Sequence, residues 1–361
     1  MRMSMLPKTN LTGDPGRQKR KLIVVHNSLD DEGGADHVAQ HEPYKSTEGG
    51  KYVMPAIGNR IDWTRFQVEE LGVISMNIPE NPGNPKAKYV DVIAQSALAG
   101  INQVHEAFMS GHKVLSLGGN HVRALDVIGA MRACHELRIP FGLIWIDEHL
   151  DFNTPETTPS GNIHGMVSAV LQGRGAKELL VLLKNYPFVD PRNIIYVGPR
   201  EDQMDGHETK DEHGNYAEST EVYCFTQLIQ RGARCFTAES MKVNDKKIDY
   251  VSAEAKTAVK ELSDRIQAAG GKLWIEWDVD VVDSNDMPAA VMKNDNGLSA
   301  AQMRDLFEFM EGNCVVDGMG VSEICPVKDI KGIGRELIAV GVSKILGVGQ
   351  RGSGAACKKR T

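Results

Sequence analysis

From residue 22 to near the end of the chain, short apolar runs alternate with longer stretches of helical periodicity. The runs are Leu22–His26, Val73–Ile78, Lys113–Gly119, Phe141–Asp147, Ile194–Arg200, Cys235–Ser240, Lys272–Asp280 and Val315–Pro326. Most are β-branched and nearly continuous in apolar character rather than alternating, the pattern of parallel strands buried on both faces. Between them Val90, Ile93, Leu98, Ile101, Val104 and Phe108 recur at helical spacing, and Leu125, Ile128 and Met131 do the same. Further helices are predicted at Lys177–Leu183, Ala253–Ala268, Ala300–Glu311 and Arg335–Leu346. Repeated βα units predict an α/β fold, a three-layer αβα sandwich around a central, mostly parallel eight-stranded sheet.

At about 150 residues per domain, the 361-residue chain has room for two domains. It contains no convincing linker or repeat, so a single domain is expected over 22–350, with a tail over 351–361. The polar stretches Asn27–Arg60 and Glu201–Ser219 read as long loops, which in a compact domain are usually functional or disordered. Residues 1–21 carry Arg2, Lys8, Arg17, Lys19, Arg20 and Lys21 against Asp14 alone. Pro7, Pro15 and Gly16 oppose the amphipathic helix of an organelle-targeting peptide, so a disordered basic arm is expected.

The formal charge of −7 argues against a nucleic-acid binder, which needs a concentrated basic face. No apolar run approaches the roughly 20 residues that span a bilayer. Six cysteines without a CxxC or CxxH pair exclude a zinc ribbon and a dense disulfide framework. Reduced thiols in a cytoplasmic protein are the expectation.

Three of the expected strand ends carry metal-type ligands. Gly118 to His121 reads GGNH, Asp147 to Asp151 reads DEHLD, and Asp278 to Asp280 reads DVD. Spacing two in an extended segment turns both side chains to one face, and ligands of an open α/β sheet gather outside the carboxyl ends of its strands. Any one of these residues could be a helix cap or a turn residue. As a set they are hard to bury without cations, because adjacent carboxylates repel. Oxygen-rich ligation with two imidazoles and no thiolate suits Mn²⁺ better than structural zinc. Two adjacent ions sharing carboxylates can activate a water as nucleophile.

From Asp147 the chain runs DEHLDFNTPETTPSGNIHG, which resembles the arginase stretch DAHxDxNTPxTTxSGNxHG within the ureohydrolase (arginase/agmatinase) superfamily. GGNH is similar to the family's GGDH, DVDVVDS to DVDxxDP, and SEICP at Ser322 to Pro326 to MExNP. The resemblance implies two Mn²⁺ per chain. One would be held by His121, Asp147, Asp151 and Asp278, the other by His149 with Asp147, Asp278 and Asp280. It further implies that Asp151 passes a proton to the leaving amine and that His164 shuttles protons. Glu323 would pair with the substrate guanidinium, a planar fork that a carboxylate orients well. Asn153, Ser160 and Asn162 match positions that hold an amino acid's α-carboxylate, and Thr158 matches one that reaches it through water.

Several positions depart from the family. Asn120 replaces the Asp of GGDH, and Glu148 replaces a small residue, its side chain expected to point away from the ligands by alternation. Ala289–Lys293 replaces ATGTP, so Met292 stands where a threonine touches the metal site. Gln203 takes the place of the aspartate that holds the substrate's α-amino group, with Glu201, Asp202 and Asp205 nearby. The N-terminal family signature is absent, Gly33 and Gly34 being at most a remnant.

The resemblance implies an arginase, converting L-arginine and water to L-ornithine and urea, in a homotrimer or hexamer. Two other readings compete with it. One is a ureohydrolase acting on another guanidino or formimino substrate, suggested by Gln203. The other is a non-catalytic arginase-like protein, suggested by Asn120 and Met292 but opposed by the retention of ligand chemistry at all six metal positions.

Overall fold

The computed structural model describes residues 19–29, 48–200, 220–241, 249–292 and 295–349. Gln203, Glu201, Asp202, Asp205, Gly33, Gly34, Lys293, the second expected loop and the C-terminal tail lie outside the described residues, as does the basic arm up to residue 18.

The strands in chain order are β1 (Arg20–Ser28), β2 (Phe66–Glu70), β3 (Ile74–Ser75), β4 (Gly83–Asn84), β5 (Ala87–Lys88), β6 (Lys113–Leu117), β7 (Phe141–Ile146), β8 (Ile194–Val197), β9 (Arg234–Phe236), β10 (Lys272–Asp278) and β11 (Gly318–Ser322). All but β4 and β5 join one sheet in the order β2-β1-β6-β11-β10-β7-β8-β9, with β3 also paired to β1. Every pairing in it is parallel. The sheet therefore has nine strands rather than the expected eight. The added strand is β2, where only Phe66 is buried, so its mixed polar sequence carries no core-strand signal.

Alternate residues of the strands face opposite cores. Leu22, Val24, Leu115, Ile144, Ile275 and Val321 belong to one apolar cluster, completed by the helices Gly49–Gly58, Ala253–Ala268, Ala300–Asn313 and Ile333–Ile345. Ile23, Val25, Val114, Leu143, Tyr196 and Trp274 belong to the other, completed by Val90–Met109, Val127–Glu136, Val167–Leu171 and Lys177–Leu180. Both faces are covered, hence the nearly continuous apolar runs.

The ends of the elements depart from the sequence expectation in small ways. β1 begins at Arg20, so Arg20 and Lys21 pair with Phe66 and Gln67 instead of lying in the arm. The first expected loop contains the helix Gly49–Gly58, hidden in sequence by its paired glycines and Pro55. Cys235–Ser240 is strand only to Phe236, and Ala238–Met241 is helical. Among the described residues, no helix is long and apolar enough to cross a membrane.

The helices Val90–Met109 and Val127–Glu136 meet at Gly129, where a Cβ would stand 2.2 Å from the Ile101 carbonyl and 2.9 Å from the His105 nitrogen. Both obstacles are backbone, so the helices must separate to admit a methyl. We expect Gly129→Ala to destabilise the fold by about 1–3 kcal/mol, measurable as a lower urea midpoint with unchanged far-ultraviolet circular dichroism.

Candidate metal centre

β10 and β11, late in the chain, lie between β6 and β7. Their register sets the site: Ile146 pairs with Trp277, Asp278 with Ser322, and Leu117 with Val321. Asp147, Asp278, Glu323 and the turn from Gly118 to His121 therefore leave the sheet side by side, at its carboxyl edge. Gly119 allows that turn to pass beneath the end of β1. It has φ 68°, and a Cβ there would meet the Leu29 carbonyl at 2.2 Å, so only glycine fits.

His121 Nδ1 lies 2.8 Å from Asp151 Oδ2, 3.1 Å from Asp147 Oδ2 and 3.2 Å from Asp278 Oδ2. One ring N–H serves one acceptor, so a nitrogen facing three carboxylates fits ligands gathered about a shared cation. His149 Nδ1 lies 3.5 Å from Asp147 Oδ1 and 3.4 Å from Asp280 Oδ2. Two sets of ligand atoms result, His121–Asp147–Asp278 and Asp147–His149–Asp280, each set within 4.8 Å of itself. Asp147 belongs to both. The six predicted ligands are thus brought together, all buried except His149, whose side chain is 33% exposed.

The route to convergence differs from the one read in sequence. β7 stops at Ile146, the chain bends through Asp147–His149, and Asp280 sits in the 3₁₀ turn Val279–Val281. Asp151 has φ 47° and Glu323 φ 59°, a left-handed backbone that costs a non-glycine residue about 1–3 kcal/mol. At Glu323 the surroundings enforce it: its N–H donates to the Gly119 carbonyl at 3.1 Å, and its carbonyl accepts from Val291 N–H at 3.0 Å. Its Oε1 accepts from His121 N–H at 2.8 Å, which ties it to the cluster.

Charge in the cluster is unbalanced. Burial pushes Asp278 and Asp151 above the usual carboxylate range, reinforced by Asp280 and Asp147 respectively. Burial would raise Asp147 too, but hydrogen bonds from His121 and His149 prevail and hold it low. Burial disfavours charge on both imidazoles, yet Asp151 beside His121 and Glu148 beside His149 hold them well above the ordinary histidine value. Such opposed shifts mark a site short of positive charge, which divalent cations supply.

The loop after Asp151 is backed by β4 and β5: Lys86 Nζ donates to the Thr158 carbonyl at 3.0 Å and Lys88 N–H to the Gly161 carbonyl at 2.9 Å. Asn153 and Thr158 are buried and engaged within the loop, Asn153 Oδ1 accepting from Thr157 Oγ1 and Thr158 Oγ1 from Gly161 N–H. Ser160 is exposed and Asn162 half-buried, so these two form the rim. His164 opens the next turn, its Nδ1 3.4 Å from Asn120 Nδ2. The other amide atom, Asn120 Oδ1, accepts from Val122 N–H. Asn120 thus offers His164 a donor, where the family's aspartate could only accept. Met292 is 52% exposed.

Glu148 does not point away. Because the chain bends there, its Oε1 comes within 3.7 Å of His149 Nε2, and burial, aided by Asp280, pushes its carboxyl up to about 8. Sequence reasoning also passed over Arg123 and Glu276, a wholly buried ion pair beside His121. The available signal was a lone charge inside an apolar run, Glu276 within KLWIEWDVD.

The arginase-family sequence profile matches residues 56–347, most of the chain. Arginase of Bacillus subtilis is 26% identical over 268 residues, covering 74% of this chain and 79% of that protein. Among solved structures, arginase of Bacillus caldovelox superposes with a TM-score of 0.70 at 20% identity, over 92% of this chain and 99% of the other. Formimidoylglutamase of Bacillus subtilis superposes with a TM-score of 0.61 at 15% identity, over 93% and 89%. At these identities the structural likeness speaks for the shared fold, while the profile match establishes kinship: the chain belongs to the arginase family.

Proposed function

We propose that this chain is a binuclear-manganese arginase, hydrolysing L-arginine to L-ornithine and urea. The observation that carries the metal reading is the single nitrogen of His121 facing Asp147, Asp151 and Asp278 at 2.8–3.2 Å, with a second imidazole–carboxylate set sharing Asp147. His121, Asp147, Asp151 and Asp278 would hold one ion, and His149, Asp147, Asp278 and Asp280 the other. When bound, such a pair supplies a water acidic enough to act as a nucleophile at neutral pH.

The chain's own residues then divide the remaining work. Glu323, buried and held by His121 N–H, pairs with the guanidinium and fixes its carbon for attack. Asp151 accepts the proton released as the C–O bond forms and delivers it to the amine that departs as ornithine. His164, half-buried at the rim, exchanges protons with solvent. Asn153, Ser160 and Asn162, with Thr158 through water, recognise the α-carboxylate, and Gln203 the α-ammonium. Arginine is favoured by the NTPETTPSGN wording of the loop and by relatives named arginase. The second reading, another guanidino or formimino substrate, is favoured by the neutral Gln203. We further propose a cytoplasmic homotrimer or hexamer.

The deciding experiment is urea release from arginine, agmatine, guanidinobutyrate and formiminoglutamate, with and without Mn²⁺ (formamide being assayed for the last). We expect Mn²⁺-dependent urea from arginine above the others; preference for any other member of the panel favours the second reading. Asp147→Asn is expected to abolish activity and reduce bound manganese from two ions to fewer than one, measured by elemental analysis. Normal stoichiometry in that variant would refute the assigned ligands. His164→Ala should retain both ions while turnover falls by about 100-fold or more, the usual scale of general acid–base catalysis.

A further inference from the structure

We propose that Glu276 and Glu148 are positioning residues for the two histidines of the metal centre, each holding its imidazole so that Nδ1 is presented to the carboxylate cluster. The inference rests on the metal-centre reading above.

Both histidines are oriented alike. Each turns Nδ1 inward, and each turns Nε2 toward a buried glutamate: His121 Nε2 to Glu276 Oε1 at 3.5 Å, His149 Nε2 to Glu148 Oε1 at 3.7 Å. Each glutamate in turn faces an arginine. Arg123 Nη2 contacts Glu276 Oε1, and Arg200 Nη1 lies 3.6 Å from Glu148 Oε2. A carboxylate at one ring nitrogen favours the proton there, which leaves the lone pair of the other nitrogen for a cation and fixes the plane of the ring.

The first of these sets is built in some detail. Trp274 Nε1 donates to Glu276 Oε2 at 3.0 Å, and the Trp145 ring stacks on His121 with centroids 4.6 Å apart. Gly320, beside Glu276 in the sheet, makes the room: a Cβ there would stand 2.2 Å from Arg123 Nη2 and 2.3 Å from Glu276 Oε2. A buried ion pair is a poor stabilising device, because desolvating two charges offsets much of their attraction. An apolar pair would fill the same space. What an apolar pair cannot do is orient His121.

Manganese titration calorimetry on the full chain tests this, with thermal melting to verify folding. Removing Glu276 alone strands Arg123, so the informative variant is Arg123→Leu with Glu276→Leu, compared with Glu276→Gln, which keeps an acceptor. We expect the double variant to bind one of two ions 10- to 100-fold more weakly, with Glu276→Gln retaining most of that affinity. Glu148→Ala should weaken the other ion and spare the first. If the folded double variant and Glu148→Ala both bind two ions with wild-type affinity, the positioning role is overturned and the metal centre stands. Equal weakening of both ions by either variant overturns it as well. A wild-type chain that binds no manganese overturns the metal reading and this inference together.

Discussion

Asp147, Asp151, Asp278, Asp280 and Glu323 are all buried around two imidazoles, and carboxylates this close in a low-dielectric interior repel strongly unless cations sit among them. Asp151 and Glu323, both with left-handed backbone, lie among the buried carboxylates of this cluster. Asp278 and Asp147 move in opposite directions, burial and Asp280 pushing the first up while hydrogen bonds from His121 and His149 hold the second low.

The sheet makes the cluster possible. Four adjacent parallel strands end at one edge, and parallel pairing brings their carboxyl ends together without any tight turn between them. Two apolar cores clamp the strands from either side, so the candidate ligands sit on a closely packed base. The loop from Asn153 to Asn162 forms part of the rim. It ties itself down through Asn153 and Thr158 and leaves Ser160 and Asn162 toward solvent.

Much of this was legible in the residues. Continuous apolar runs marked the strands because both faces are covered, and the helix Ala253–Ala268 has the limits that its periodicity implies. The candidate ligands were legible because their chemistry is dense and local. β2 was not, since an edge strand with one buried residue lacks a pattern. Neither was the orientation of Glu148, because alternation holds only while the chain stays extended. The Arg123–Glu276 pair joins residues far apart in sequence, and only the register of β10 beside β11 shows that Gly320 leaves space for it.

Because β10 and β11 lie between β6 and β7 but follow them in the chain, the middle of the sheet is the last part to be synthesised. Neighbouring strands are about 4.8 Å apart, so β6 and β7 must stand three spacings, roughly 14 Å, from one another to receive them. Until they arrive, each presents an unpaired edge. His121 and Asp147, whose side chains meet at 3.1 Å in the finished molecule, belong until then to separate halves. Closing such a gap depends on contacts distant in sequence, a slow class of folding event. The candidate ligand set is therefore complete only once β10 and β11 are in place, and a nascent chain short of Lys272 lacks Asp278 and Asp280.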